Sequence, residues 1–544
     1  MKLVPQPLGG SSLAKDYLAG AESANSFYRG SPYRAETYRQ RAEELELARG
    51  RDGFATVESV IRPAGPDGAA LLRRVVAEGG YFVTTGQQPG LFGGPLYSLY
   101  KALTAVRLAA DLEGLLTRPV MPIFWIASDD HDWEEANHAF VVDGANRLVR
   151  LSLGAAADRH PRPLWRPTLG TAIEEPLERL AGSFPSNDFH ARYMTLLRDA
   201  YAPEATMASA FAGLMAELLA DTPVGLVDAG DPQLKEACRE VFRAEAEDSR
   251  ASETVLDETA EALEDCGYAP QVQLMSGATN LFVDLRGGRE RLYRKDGGFV
   301  LGRSRGEVSR RRVLDLIENE PRSVSPNVLL RPVVESALFH TLAYVGGPGE
   351  LAYFAQLRGL FRRHGAGMPV VVPRGSLLVV ETKVEKVLDK HGLAAGDVRD
   401  AEALLSRFAR DRLPDDVRDA VRHWRGAIES RGGELAEGAA AVDPALRGAV
   451  IKTRNSGLGA LGSLEKKIVR AVKRSADTTR AQIAKAQVNL WPGGKPQDRI
   501  LSPLQYLMKY GPGFPASALR RIRIRPGRAG SGGGFATRGT DSVA

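Results

Sequence analysis

From Tyr81 to Ser376, short and wholly apolar runs alternate with segments whose apolar residues recur at helical spacing. "YFVTT" (81–85) precedes "GPLYSLYKALTAVRLAADL", where Leu96, Leu99, Leu103, Val106 and Ala110 step by three and four along one helix face. Pro95 suits the first helical turn, where its missing N–H is no loss. Four more strands are predicted at "VMPIFWIAS" (120–128), "VGLVDAG" (224–230), "TLAYVGGPGE" (341–350) and "MPVVVPRGS" (368–376). The third of the five strands leads into a helix with Asp231 as N-cap and Pro232 at its first position. Strands that are apolar throughout and alternate with helices predict an α/β fold, a parallel sheet covered on both faces.

Two stretches interrupt this rhythm, at about 150–222 and 240–330. The first reads as mostly helical. The second contains "NLFVDLRGGRERLYRKDGGFVLG", two turn signals between apolar runs, which predict a small antiparallel meander. The core with its insertions is expected over 1–377. From about 378 to 490 the chain turns helix-rich. There Leu464, Ile468, Val472, Ser475, Thr479, Ile483, Ala486 and Leu490 fall at near-heptad spacing, predicting an antiparallel helical hairpin or coiled coil, with a plain helical bundle as the alternative. Residues 491–527 are expected to return to the core. The Gly/Ser-rich end, 528–544, is expected to be disordered.

Composition narrows the class. A 544-residue chain with 43% hydrophobic and 26% charged residues can bury a large core. Cys238 and Cys266 lack C-x-x-C spacing and offer neither a disulfide framework nor a zinc site. The start, "MKLVPQPLGG", has no signal-peptide pattern, and no uncharged apolar run reaches membrane-spanning length. The expected compartment is the cytoplasm, with no membrane and no nucleic-acid partner. The net charge of +5 gathers partly in the arginine-rich C-terminal stretch, where solubility accounts for it.

In a parallel sheet of this kind, ligands bind beyond the carboxyl ends of the strands. The five strand exits read "TGQQPG", "SDDHDWEE", "DAGDP", "GGPGE" and "PRGS". In the first, Gly86 and Gly94 let a ligand approach backbone closely, and the Gln87 and Gln88 amides both donate and accept. Tyr97 shares a helix face with Lys101, a lysine suited either to a carboxylate or to solvent. In the second, His131 is the candidate general base, oriented by Asp130 or Asp132. The competing role for the aspartates is capping of the next helix. Asp129, Asn137 and His138 complete the candidate substrate contacts there. The cluster also suits a divalent metal, although no metal-binding spacing is present, and no metal is expected. Glu350 is placed to hold an ammonium or to favour a helix N-terminus. Arg374 is placed to bind a carboxylate or phosphate. Asn327 and Arg331 are expected to brace the cleft. Trp491, Lys495 and Arg499 offer a stacking face and charge, either for a nucleotide (ATP or ADP) or for docking this loop. No P-loop and no dinucleotide glycine fingerprint occurs.

"TTGQQPGLFGGPLYSLYKA", "PIFWIASDDHDWEEANH", "SPNVLLRPVVE", "YVGGPGELAYFAQL", "MPVVVPRGS" and "LWPGGKPQDRILSPLQYLMKYG" occur in this order. Together they resemble the bacillithiol-biosynthesis cysteine-adding enzymes, over about residues 80 to 515. The resemblance implies a Rossmann-like core, a C-terminal α-helical coiled-coil domain and a homodimer formed through it. It also implies a ligase joining the cysteine carboxyl to the amino group of glucosaminyl malate. The H-x-G-H and K-M-S-K-S signatures of adenylate-forming relatives of such cores are absent. Two further classes remain open at this point: a non-catalytic nucleotide-binding dimeric scaffold and a metal-dependent amide hydrolase.

Overall fold

The computed structural model describes residues 1–48, 55–155, 160–285, 288–411, 413–474 and 477–524. The chain divides into two compact units. One comprises Leu3–Leu378 and the stretch that starts at Asp498; the other comprises Met1–Lys2 and Val379–Gln497.

The first unit is built on a six-stranded sheet. Its strands are β1 (Arg62–Pro63), β2 (Tyr81–Gln87), β3 (Val120–Ile126), β4 (Gly225–Asp228), β5 (Thr341–Gly346) and β6 (Val370–Pro373). The spatial order is β6-β5-β2-β3-β4-β1. All neighbours pair in parallel except the short edge strand β1, which runs against β4 with Arg62 opposite Leu226. β2 and β3 are in register from Tyr81 opposite Val120 to Gln87 opposite Ile126. Apolar residues occupy both faces of these strands, as the continuous runs predict, and nearly every one is buried. Among the five parallel strands the first, β2, lies in the middle. The second and third follow on one side, and the fourth and fifth on the other. That is the doubly wound order, and its switch point falls between β2 and β5.

Helix α1 (Tyr97–Leu116) crosses the sheet over β2 and β3 and is itself covered by the helix Gly513–Arg521. It is therefore buried far beyond the single face its spacing predicts. It begins two residues after Pro95, behind a short 3₁₀ turn at Leu91–Gly93. The first insertion opens with a hairpin, His138–Val142 against Leu148–Ser152, and continues in three helices between Glu174 and Leu218. The second forms a five-stranded antiparallel meander between Ala278 and Pro326.

The other unit is helical. Helix α2 (Asp415–Val442) turns at 443–445 into α3 (Leu446–Arg474). The pair is antiparallel: Arg425 bridges Glu465 at 2.8 Å, while Glu437, further along α2, bridges Arg447 at 2.7 Å near the start of α3. The antiparallel hairpin is the one expected; it starts upstream of the heptad-spaced stretch, and its second helix runs into that stretch. Within 461–490, Leu464 is exposed while Leu461 and Val469 are buried, and Ile483, Ala486 and Leu490 of α4 (Asp477–Leu490) are buried as the spacing predicts. Small residues account for the weak apolar period of the hairpin's upstream part. Gly432 lies against Arg454, and Gly457 lies near Ile428, so side-chain size carries little of the period. Residues 491–497 stay with the helices. The Gln497 amide accepts from Val379 N–H (2.5 Å) and donates to the Asn489 carbonyl (2.7 Å). The return to the core thus starts at Asp498. Ser475 of the heptad reading and the tail 528–544 lie outside the described residues.

Candidate functional site

The switch point is packed with charge. β2 ends in Gly86 and Gln87, and a Cβ on Gly86 would stand 2.7 Å from the Trp125 carbonyl oxygen of β3. Lys101 of α1, only 2% exposed, donates to the Gly86 carbonyl (2.7 Å) and to Gln87 Oε1 (3.1 Å). Its ammonium also pairs with Glu350 at 2.5 Å. Glu350 sits in the first turn of the helix Pro348–Phe354, just beyond β5. Its carboxylate accepts from the Gly347 N–H (2.7 Å) and the Tyr344 hydroxyl (2.5 Å). Burial opposes the charge on Glu350, but Lys101 and these donors outweigh it and hold the carboxyl below its usual range. Burial lowers the Lys101 ammonium, against the pull of Glu350. Lys101 is therefore an interior ion, not a solvated lysine.

Gln87 extends this network by donating to the Tyr97 hydroxyl at 3.1 Å. Burial, reinforced by Glu135 and Glu350, pushes the Tyr97 phenol up to about 12. Arg374, 3% exposed, stands 5.2 Å from the Tyr97 ring and binds Asp498 at 2.7 Å, which the Ser376 hydroxyl also contacts at 2.7 Å. The anion-binding role expected of Arg374 is thus filled from within by Asp498. The ammonium expected at Glu350 is that of Lys101.

A second network forms at the exits of β3 and β4 and is tied to the first by the adjacent glutamines. Ala127 N–H donates to the Gln87 carbonyl (3.0 Å), and the Gln88 amide donates to the Asp132 carbonyl (3.0 Å). Asp129, buried, pairs with the equally buried Lys235 at 2.5 Å. Lys235 is held by a short helix that Asp231 caps, as expected. Asp130 accepts the backbone N–H groups of His131 (2.6 Å) and Asp132 (3.2 Å), and Asp132 caps the next turn through Glu135 N–H (3.0 Å). Neither aspartate orients the His131 ring. Asp130 stays 3.8 Å from Nδ1, and the ring nitrogen instead meets Arg289 at 2.8 Å. Burial and then Arg289 lower the His131 pKa, so the ring is neutral. A guanidinium only donates, so Nδ1 accepts and the ring proton sits on Nε2. Burial, then Asp132 and Asp130, raise the Glu135 carboxyl.

Asn137 and His138 are engaged locally. Asn137 is 1% exposed and donates to the Gly154 carbonyl at 2.8 Å, while His138 Nδ1 lies 3.0 Å from the Glu134 carbonyl. Both brace the hairpin that follows. Gly94, with φ of 63°, takes a conformation that favours glycine, so its role is set by the turn before α1. Among the described residues no three His, Cys, Asp or Glu side chains stand together as metal ligands. Trp491 does not present an open stacking face. It is 8% exposed, its indole N–H donates to the Ala395 carbonyl at 2.7 Å, and Arg399 stands 5.5 Å from the ring. Trp491 and Lys495 belong to the helical unit and Arg499 to the core.

Arg289, Lys235, Tyr344 and Asp498 join these networks without having been singled out in the sequence. Arg289 lies in the meander, where "GRERLYRK" alternates too loosely to mark a charged residue as buried. Asp498 follows a proline- and glycine-rich loop that carries no periodic signal. Asn327 and Arg331 brace the site as expected. Asn327 Oδ1 accepts the Leu329 and Leu330 N–H groups, and Arg331 pairs with Glu335 at 2.7 Å.

Comparison with known proteins places this arrangement. Residues 2–375 match the family model of the bacillithiol biosynthesis BshC N-terminal Rossmann-like domain, and residues 377–522 match that of the BshC C-terminal coiled-coil domain. Relatives bearing the name "Putative cysteine ligase BshC" include that of Salinibacter ruber, 38% identical over 432 residues, which is 79% of this chain and 78% of the relative. That of Symbiobacterium thermophilum is 33% identical over 87% of this chain and 88% of the relative. That of Solibacter usitatus is 31% identical over 94% and 95%.

Proposed function

The chain belongs to the BshC family of bacillithiol biosynthesis, and from that premise we propose that it is a ligase that joins the carboxyl of L-cysteine to the amino group of glucosaminyl malate. The observation that carries this reading is the link, through Gln87 and Gln88, between the charge network at the sheet's switch point and the one at the neighbouring exits of β3 and β4.

An amine attacks an acyl carbon only after losing its proton. Asp130, Asp132 and Glu135 make the second network locally negative and so receive an ammonium. Glu135, with its raised pKa, is the proposed acceptor of the ammonium proton. His131, neutral and carrying its proton on Nε2, donates a hydrogen bond to the acyl oxygen as negative charge develops there. The Lys101–Glu350 pair acts through Gln87, holding the β2 exit in place. Gly86, Gln88, Tyr97 and Asp129 are proposed to line the substrate crevice.

Making an amide from a free carboxylate requires an activated acyl group, and a nucleoside triphosphate is the proposed energy source. Trp491 does not fit as its stacking platform. The helical hairpin, with Trp424 at 56%, Leu435 at 61% and Val442 at 82% exposure, is the proposed dimer surface. Among the described residues no helix is long and apolar enough to cross a membrane, and the cytoplasm is the proposed compartment. A strain lacking the gene is expected to accumulate glucosaminyl malate and to lack bacillithiol. Normal bacillithiol in that strain contradicts the assignment.

A further inference from the structure

The described residues include five buried basic side chains: Arg41, Lys101, Lys235, Arg289 and Arg374. Four have a carboxylate within salt-bridge distance, respectively Glu44, Glu350, Asp129 and Asp498. Arg289 has none among the described residues. A buried charge is costly unless an opposite charge and hydrogen bonds compensate it.

The donors of Arg289 can be followed one by one. Nε donates to the Ser325 hydroxyl (2.9 Å), one terminal nitrogen to His131 Nδ1 (2.8 Å), and the other to the Pro326 carbonyl (3.2 Å). All three acceptors are neutral. A guanidinium carries five N–H bonds, so one on each terminal nitrogen is left without an acceptor from the described chain. One spare N–H on each terminal nitrogen gives donors for the two oxygens of a carboxylate. The plane is fixed by Phe282, whose ring centre lies 3.9 Å from the guanidinium carbon. Solvent reaches the cluster at His131, whose side chain is 31% exposed.

We propose that Arg289, with His131 beside it, is the seat of a substrate carboxylate. The proposal rests on the ligase reading of the same site and adds to it the group that recognises an anionic substrate. The neighbouring aspartates do not forbid a second carboxylate there. Asp129 is neutralised by Lys235, Asp284, opposite Arg289 in the strand pair, is neutralised by Arg162 and Arg166, and Asp130 accepts two backbone N–H groups. Arg291 lies on the Phe282 ring as well, at 5.1 Å, and adds positive charge. Because Arg289 comes from the meander and not from the core sheet, the insertion supplies recognition while the sheet supplies the crevice. Both the malyl group of glucosaminyl malate and cysteine itself carry a carboxylate, and kinetics separates them.

The test is steady-state kinetics of Arg289→Lys and Arg289→Gln with each substrate varied in turn, together with calorimetric titration of L-malate and of cysteine into the folded proteins. Loss of a charge-assisted bidentate pair is expected to raise one KM by about 10- to 100-fold. The KM for glucosaminyl malate moves if the malyl group sits on Arg289, and the KM for cysteine moves if cysteine does. The other KM should change by less than about threefold. Ligation with both KM values unchanged in Arg289→Lys overturns the seat and leaves the ligase reading standing. Arg289-dependent malate binding without any cysteine joining overturns the ligase reading and leaves the seat standing. Wild-type protein that binds neither probe overturns the seat outright.

Discussion

At the scale of single residues, Lys101 and Glu350 carry the clearest stability consequence. Lys101 is buried against the partly buried Glu350 at 2.5 Å, so removing one leaves the other's charge without its partner. Lys101→Met and Glu350→Gln are each expected to destabilise the core by about 3 kcal/mol or more, and the double variant by less than their sum. Calorimetric midpoints of the three variants check this, and simple additivity contradicts it. This pair was half legible in the sequence. The shared face of Tyr97 and Lys101 follows from helical spacing, but burial of Lys101 depends on Glu350, hundreds of residues away. The orienter of His131 was misread for the same reason. Asp130 and Asp132 are adjacent in sequence and take backbone N–H groups, whereas Arg289 reaches the ring from the meander.

His131 also predicts a pH dependence. Burial and Arg289 lower its pKa, opposed by Asp130 and Asp132, with Arg303 adding to the lowering. Its folded pKa thus lies below the unfolded value of about 6.5, and the unfolded chain takes up the proton first. The stability tied to neutral His131 is complete above about pH 6.5 and declines as pH falls below it. The thermal midpoint of the wild type should drop between pH 7 and 5 more than that of His131→Gln. Parallel curves contradict the prediction.

At the scale of elements, the strands were readable because sequence and environment agree. β2, β3, β5 and β6 are buried on both faces and are written as unbroken apolar runs. The hairpin's upstream part was not legible because the close approach of its helices uses Gly432 and Gly457, which leave little apolar period to read. The edge strand β1, two residues long and containing Pro63, left no signal either. Within the sheet Gly86 is the position where one methyl group matters. Its Cβ would meet the Trp125 carbonyl at 2.7 Å, and the backbone must shift to admit it. Gly86→Ala is expected to separate β2 from β3 at their carboxyl ends and displace Gln87. A loss of activity of tenfold or more with a lowered thermal midpoint is the expected outcome, and wild-type kinetics would contradict it.

At the scale of the whole molecule, the class of fold was legible and the strand order was not. Five apolar runs alternating with helices imply a parallel sheet, but nothing in them says that β2 lies central and that β2 and β5 flank the switch point. That order is what brings distant exits side by side. The exposed apolar residues of the hairpin belong to this scale too. Trp424→Glu combined with Leu435→Glu is expected to halve the mass seen by light scattering while leaving the core's thermal transition in place; an unchanged mass contradicts the proposed dimer surface.

The central claim is that cysteine is joined to an amine at this crevice. Purified protein incubated with L-cysteine, glucosaminyl malate and ATP, followed by mass spectrometry, tests it most directly. The account predicts a new species with the combined mass of the two substrates less one water, formed by the wild type and lost in His131→Gln. Unconverted substrates, or cleavage of that amide when it is supplied ready-made, would contradict it.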